Sequence, residues 1–213
     1  MLAFITIMAT SFVIAFSGAA MPGPLMSVTI SESVKRGFMT GPLLILGHAI
    51  LELGLVVLLM YGLAPLLKQD WVFAAIAIIG GVMLGLMGTG MLRSAPSLSI
   101  HEDIHATQGP HLVLTGILVS ISNPYWSLWW ATIGLGYVLF SAQYGVLGIV
   151  FFFIGHCLGD LVWYSAISLA MARGRRFLSD KHYRALIGTC GVFLLILAAY
   201  FTFSGITKAF SLV

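Results

Sequence analysis

Apolar residues run through this chain in six long blocks, covering roughly residues 3–33, 39–66, 71–92, 111–140, 144–171 and 184–207. Each block is long enough to cross a bilayer as a helix, which takes about 20 residues. Short polar stretches separate them, and the only sizeable one is 94–110. Two blocks are interrupted from within, the first by Pro22-Gly23-Pro24 and the fourth by Asn123-Pro124. The second and fifth carry one signature twice. Gly47-His48-Ala49-Ile50-Leu51-Glu52 and Gly155-His156-Cys157-Leu158-Gly159-Asp160 both read Gly-His-x-x-x-acid. An acid in the middle of a hydrophobic span is costly and marks a task or a partner.

The order of features repeats. A Pro-interrupted helix opens each half, a Gly-His-x-x-x-acid helix follows, and a span with small residues closes it. Three spans is an odd number, so the second set must insert upside down relative to the first. The pattern predicts an all-α membrane protein of six transmembrane helices built as two inverted three-helix repeats. Residues 1–93 form the first repeat, 94–110 the connecting loop and 111–213 the second repeat. A site between inverted repeats near the midplane is the arrangement of many secondary transporters. The spacings differ, 23 residues from Pro24 to Gly47 and 31 from Pro124 to Gly155, so the match is of features rather than of continuous sequence.

Composition agrees with the pattern. Sixty per cent of the residues are apolar and 8% are charged, against about 25% charged in an ordinary soluble domain. Eight of the ten Lys and Arg residues fall in the loops between spans 1–2, 3–4 and 5–6: Lys35, Arg36, Arg93, Arg173, Arg175, Arg176, Lys181 and Arg184. Lys68 and Lys208 fall on the other side. The positive-inside rule makes the first side cytoplasmic and puts both termini outside. Basic residues placed in this way give no nucleic-acid footprint. The segment from Met1 is apolar without a basic leader and reads as a mature span rather than a cleaved signal peptide. Cys157 and Cys190 lie inside spans and read as small buried residues, neither disulfide nor metal ligands.

Two prolines around a glycine should unwind about a turn of helix. The freed carbonyls at 18–21 and the new helix N-terminus at 25–28 then need partners, which a solvated cavity can supply. Those two ends suit the ammonium and the carboxylate of an amino acid. Asn123-Pro124 offers a milder break with the Asn amide as an extra partner. His48 and Glu52, and likewise His156 and Asp160, are four residues apart, which puts each pair on one helix face. The acids can carry a proton or hold a cationic substrate; an internal polar network fixing helix register is the plainer alternative. Trp163 and Tyr164 follow Asp160 and either line the same cavity or sit nearer the interface, while Tyr125, Trp126, Trp129 and Trp130 read first as packing, with an aromatic wall for a side chain as the alternative.

Gly80, Gly81, Gly85, Gly88 and Gly90 mark a close-packing face in the third span, either intramolecular or a homodimer seam. The loop residues His101, Glu102, Asp103 and His105, with His111, are metal-ligand types without a metal-site spacing, and they read as a solvated loop. No metal or other cofactor is expected.

The chain resembles the LysE/RhtB amino-acid exporters. The resemblance rests on Pro22-Gly23-Pro24 followed by residues 31–37, Gly41 and the Gly47 helix, on Ser122-Asn123-Pro124, and on residues 155–164 with Asp160, Trp163 and Tyr164. The chain departs from the family pattern in having Glu52 where Asp is expected, and in the paired His48 and His156. The resemblance implies a six-helix carrier of the prokaryotic inner membrane, not an enzyme. It implies efflux of amino acids or related metabolites, driven by the proton gradient. On this reading Pro22, Gly23, Pro24, Asn123, Pro124, His48, Glu52, His156 and Asp160 bind substrate, with lysine-like cations favoured, and Glu52 and Asp160 couple protons. The alternatives are a divalent-metal exporter using the two His–acid pairs, a thiol-redox membrane enzyme, and a purely structural subunit.

Overall fold

The computed structural model describes residues 1–67, 69–100 and 111–211. The loop residues His101, Glu102, Asp103 and His105 lie outside that set, whereas His111 is exposed at the start of a helix. All regular structure among the described residues is helical: α1 Leu2–Ala19, α2 Pro24–Arg36, α3 Thr40–Leu58, α4 Ala64–Leu67, α5 Asp70–Ser94, α6 Leu112–Ile121, α7 Pro124–Trp129, α8 Leu135–Ala142, α9 Gly145–Gly174 and α10 Asp180–Phe210. Five helical stretches are long and apolar enough to cross a membrane: Leu2–Ala19, Thr40–Leu66, Asp70–Ser97, Gly145–Phe177 and Asp180–Phe210. Leu112–Ile121 is a shorter apolar helix.

The protein is apolar outside and polar at its centre. Leu2, Val13, Ile79, Leu86, Val146, Leu147 and Phe203 are exposed, as side chains facing lipid would be. The buried set includes Ser11, Ser27, Thr29, Ser33, Thr40, His48, Glu52, Ser120, His156, Asp160 and Ser168. Burial of this kind requires internal partners, because lipid offers none.

Three helix pairs make the bundle. Along α1 and α9, Phe4 stacks on Phe151 at 5.3 Å, Ser11 Oγ donates to the Phe152 carbonyl at 2.7 Å, and Phe16 meets Trp163 edge-on at 5.9 Å. The partners advance together, so these helices run parallel. Along α3 and α6, Leu44 meets Gly116 and His48 meets Ser120, again in parallel. Along α5 and α10 the order reverses: Gly81 packs on Thr202, Gly88 on Gly191, and Ala74 on Gly205. This antiparallel seam uses the glycine-rich face within the chain, although nothing lies within 4 Å of a side chain built on Gly90.

The motif glycines carry the closest approaches. A Cβ on Gly47 would collide with the Val113 carbonyl, and one on Gly155 with the Met8 carbonyl. Only a residue without a side chain lets the backbones meet so closely, and that contact sets the depth at which the following His and acid sit.

The first interruption falls between Ala19 and Pro24, where Pro24 is the first residue of α2 and cannot continue the hydrogen bonding of α1. The second lies at Ser122 and Asn123, with Pro124 opening α7; Asn123 Oδ1 accepts from the Tyr125 amide at 3.1 Å and caps it. α3 runs on into a kink at Gly62, whose φ of 99° a residue with a side chain rarely adopts. A π-helical turn at Trp130–Gly134 joins α7 to α8.

The loop-side basic residues gather at one end. Arg175 Nη1 donates to the Val34 carbonyl at 3.1 Å, and Arg184 Nε to the Leu98 carbonyl at 2.8 Å. Ser168 Oγ accepts from the Gly41 amide at 3.0 Å, tying α9 to the turn between α2 and α3. At the opposite end Lys208 pairs with Asp70 at 2.9 Å.

Candidate functional site

The two interruptions face each other across a small cavity. A Cβ on Gly23 would lie 3.5 Å from Asn123 Nδ2. Tyr125 donates its hydroxyl to the Ser17 carbonyl at 3.0 Å, and Trp129 Nε1 donates to Ser17 Oγ at 3.0 Å. The residues just after the second break therefore hold the last turn of α1. The cavity between them is about 50 Å³, room for about four waters at about 10–15 Å³ each by this measure. Its wall includes Gly23 and Asn123 from the breaks and all four of His48, Glu52, His156 and Asp160.

Glu52 and Asp160 come from different halves of the chain and meet around two imidazoles. His48 Nε2 lies 3.0 Å from Glu52 Oε1 and 3.7 Å from Asp160 Oδ2. His156 Nε2 lies 3.1 Å from Glu52 Oε2 and 3.4 Å from Asp160 Oδ2. Only 1% of Glu52 and 3% of Asp160 is exposed. Glu52 Oε1 accepts two indole N–H groups, from Trp130 at 2.8 Å and Trp126 at 3.1 Å. Among the described residues, Asp160 Oδ2 finds no hydrogen-bond partner in a side chain or the backbone.

The histidines are held differently. Ser120 Oγ donates to the Gly116 carbonyl at 2.6 Å, so it accepts from His48 Nδ1–H at 2.7 Å. With that proton on Nδ1, the neutral ring offers only a lone pair at Nε2. Nε2 faces two carboxylates, and the contact needs one more proton or a cation between them. His156 stacks on Trp129 with ring centres 5.0 Å apart, and its Nδ1 is buried without a hydrogen-bond partner.

Of the residues expected to bind substrate, His48, Glu52, His156, Asp160, Gly23 and Asn123 line the cavity, while Pro22, Pro24 and Pro124 do not. Pro22 is exposed, and Pro24 and Pro124 are buried. Pro124 packs where a side chain on Gly80 would stand. The prolines shape the interruptions rather than the wall. The sequence reads Trp126 and Trp130 first as packing, with an aromatic wall as the alternative, and gives Ser120 no role. One signal was present: the two tryptophans are four residues apart just past a break, the spacing that put each His and acid on one face.

An all-helical body with an apolar exterior, membrane-crossing helices and a buried polar site defines the class, an integral membrane protein. Residues 16–205 match the LysE type translocator family. The chain belongs to that family, whose members move small molecules across the lipid bilayer and are not enzymes. It is similar to "Putative amino acid efflux protein YcgF" of Bacillus subtilis (strain 168), 27% identical over 202 residues that cover 92% of this chain and 95% of the relative. It is also similar to "Chemotactic transduction protein ChpE" of Pseudomonas aeruginosa, 28% identical over 184 residues that cover 83% of this chain and 88% of the relative. No solved structure matches the chain.

Proposed function

We propose that this protein is a secondary exporter of amino acids, proton-coupled, working by alternating access between two inverted three-helix repeats. The sixth span is then the broken stretch 112–142. Exchanging spans 1, 2 and 3 for 4, 5 and 6 turns the α1–α9 pair into the α6–α3 pair and returns the α5–α10 pair to itself. The parallel sense of the first two pairs and the antiparallel sense of the third fit that exchange. Repeats of opposite orientation can rock about a fixed central site.

One observation carries the reading: Glu52, Asp160, His48 and His156, drawn from both halves, converge beside both interruptions. The amino acid class is supported by the name of the Bacillus relative. The substrate ammonium goes to Asp160, whose outer oxygen lacks a hydrogen bond within the protein. The substrate carboxylate goes to the first turn of α2 at Leu25, which lines the same cavity. Glu52 and Asp160 take up the coupling proton, and the extra proton called for beside His48 Nε2 is the one that moves. Lysine-like cations remain the favoured side-chain class because two carboxylates serve one site. The basic end faces the cytoplasm, both termini face outward, and the membrane is the prokaryotic inner membrane.

The test is efflux from proteoliposomes preloaded with each of the twenty amino acids, under an imposed pH gradient. At least one should leave faster than from empty vesicles. If none does, amino acid export is wrong.

A further inference from the structure

The same cluster has the donor set of a metal centre. We propose that His48, Glu52 and Asp160 bind one divalent transition-metal ion of the zinc type, with His156 beside them, and that the bound ion pins α3 to α9.

The distances carry the first part. In a tetrahedral zinc site with bonds of about 2.0–2.1 Å, neighbouring ligand atoms are about 3.3 Å apart. His48 Nε2 lies 3.0 Å from Glu52 Oε1 and 3.7 Å from Asp160 Oδ2, on either side of that value. Glu52 Oε2 and Asp160 Oδ2 are buried beside imidazole nitrogens yet make no hydrogen bond among the described residues. His156 Nε2 is engaged by a hydrogen bond to Glu52 Oε1 at 3.2 Å, which leaves His48 Nε2 and the two unpaired carboxylate oxygens to face a common centre. Among the described residues, His48, Glu52 and Asp160 each offer a ligand atom within 4.8 Å of the others.

The surroundings carry the second. A metal-binding histidine gives its other N–H to an acceptor, and a ligating carboxylate is itself hydrogen-bonded. Ser120 receives Nδ1–H of His48 and turns the Nε2 lone pair toward the carboxylates. Trp126 and Trp130 hold Glu52 Oε1. One imidazole and two carboxylates with an open fourth position suit zinc and its neighbours, whereas calcium and magnesium ask for six or more oxygen ligands or several retained waters. The cation takes the place of the proton beside His48 Nε2. Because its ligands come from both α3 and α9, movement of one half against the other would have to break the shell. The binding stands on these contacts alone; the arrest of transport rests on the export reading.

The test uses the full chain with Cys157→Ala and Cys190→Ala, so that no thiol can hold the ion. After incubation with zinc chloride and dialysis, it should retain one zinc per chain, with an X-ray absorption spectrum at the zinc edge showing nitrogen and oxygen ligands only. Ser120→Ala keeps all three ligands and should weaken zinc binding about 10–100-fold. His48→Ala with His156→Ala should retain none while staying helical by circular dichroism. Zinc retained unchanged by that double variant, no zinc retained by the parent, or unchanged affinity in Ser120→Ala would each overturn the site. In proteoliposomes zinc should stop amino acid efflux without crossing. Zinc appearing inside vesicles would overturn the pinning. Absence of amino acid efflux in zinc-free vesicles would instead sink the export reading and leave the binding result standing.

Discussion

Glu52 and Asp160 occupy matching places, each four residues after a histidine and five after a glycine that presses on another backbone. Their partners differ. Glu52 is fixed by two indole N–H groups and touched by both imidazoles, whereas Asp160 is approached only by the imidazoles at 3.4 and 3.7 Å. The histidines differ in step. Ser120 orients His48, while Nδ1 of His156 has no partner. Counted from Val113 and Met8, which face the two motif glycines, the position matching Ser120 in the first helix is Ala15, buried and without a hydroxyl. A repeated motif thus supplies the same groups at the same depth, and the helices around it give one acid a fixed place and leave the other open to a ligand.

The comparison breaks most readily at Glu52. Glu52→Gln puts an amide among two imidazoles and two indoles. Breaking a buried ionic network costs about 3–5 kcal/mol, so efflux from proteoliposomes should fall by at least two orders of magnitude. Wild-type rates would mean that Glu52 is only structural.

A smaller effect is expected at Trp130→Phe, which deletes one donor to Glu52 and nothing to Asp160. Hydrogen bonds to charged groups are worth about 1.5–3 kcal/mol, and thermal unfolding in detergent should register a loss of that order. An unchanged transition would place Glu52 among donors that compensate, and the contrast with Asp160 would blur.

The motif glycines allow a symmetric test. Gly47→Ala against the Val113 carbonyl and Gly155→Ala against the Met8 carbonyl should each destabilise by about 1–3 kcal/mol, the cost of overpacking. Gly54→Ala, with nothing within 4 Å of the added atom, should be neutral or stabilising by up to about 1 kcal/mol. Unequal losses at Gly47 and Gly155 would show that the two helices are not equivalent in packing either.

Much of the scaffold was legible in the sequence because its causes are local. A membrane span needs about 20 apolar residues, and proline past the first turn breaks a helix, so five of the spans and both interruptions follow from the chain itself. The detail at their ends does not: the kink at Gly62 and the turn at Trp130–Gly134 depend on how neighbouring helices pack. The pairing of each His with its acid followed from a four-residue spacing. The joining of the two pairs is a distance between helices about a hundred residues apart in sequence, which no local pattern encodes. For the same reason nothing in the sequence distinguished Glu52 from Asp160, or separated the indoles of Trp126 and Trp130 from packing.

The most direct test of the central claim compares Asp160→Asn with the wild type in two modes, substrate exchange at equal concentrations and efflux driven by a pH gradient. Because Asp160 is taken here both as the partner of the substrate ammonium and as the open, proton-accepting acid, the variant, whose amide oxygen can still accept from an ammonium, should retain weakened but measurable exchange while the gradient no longer speeds efflux. Gradient-driven efflux as fast as that of the wild type would contradict the account.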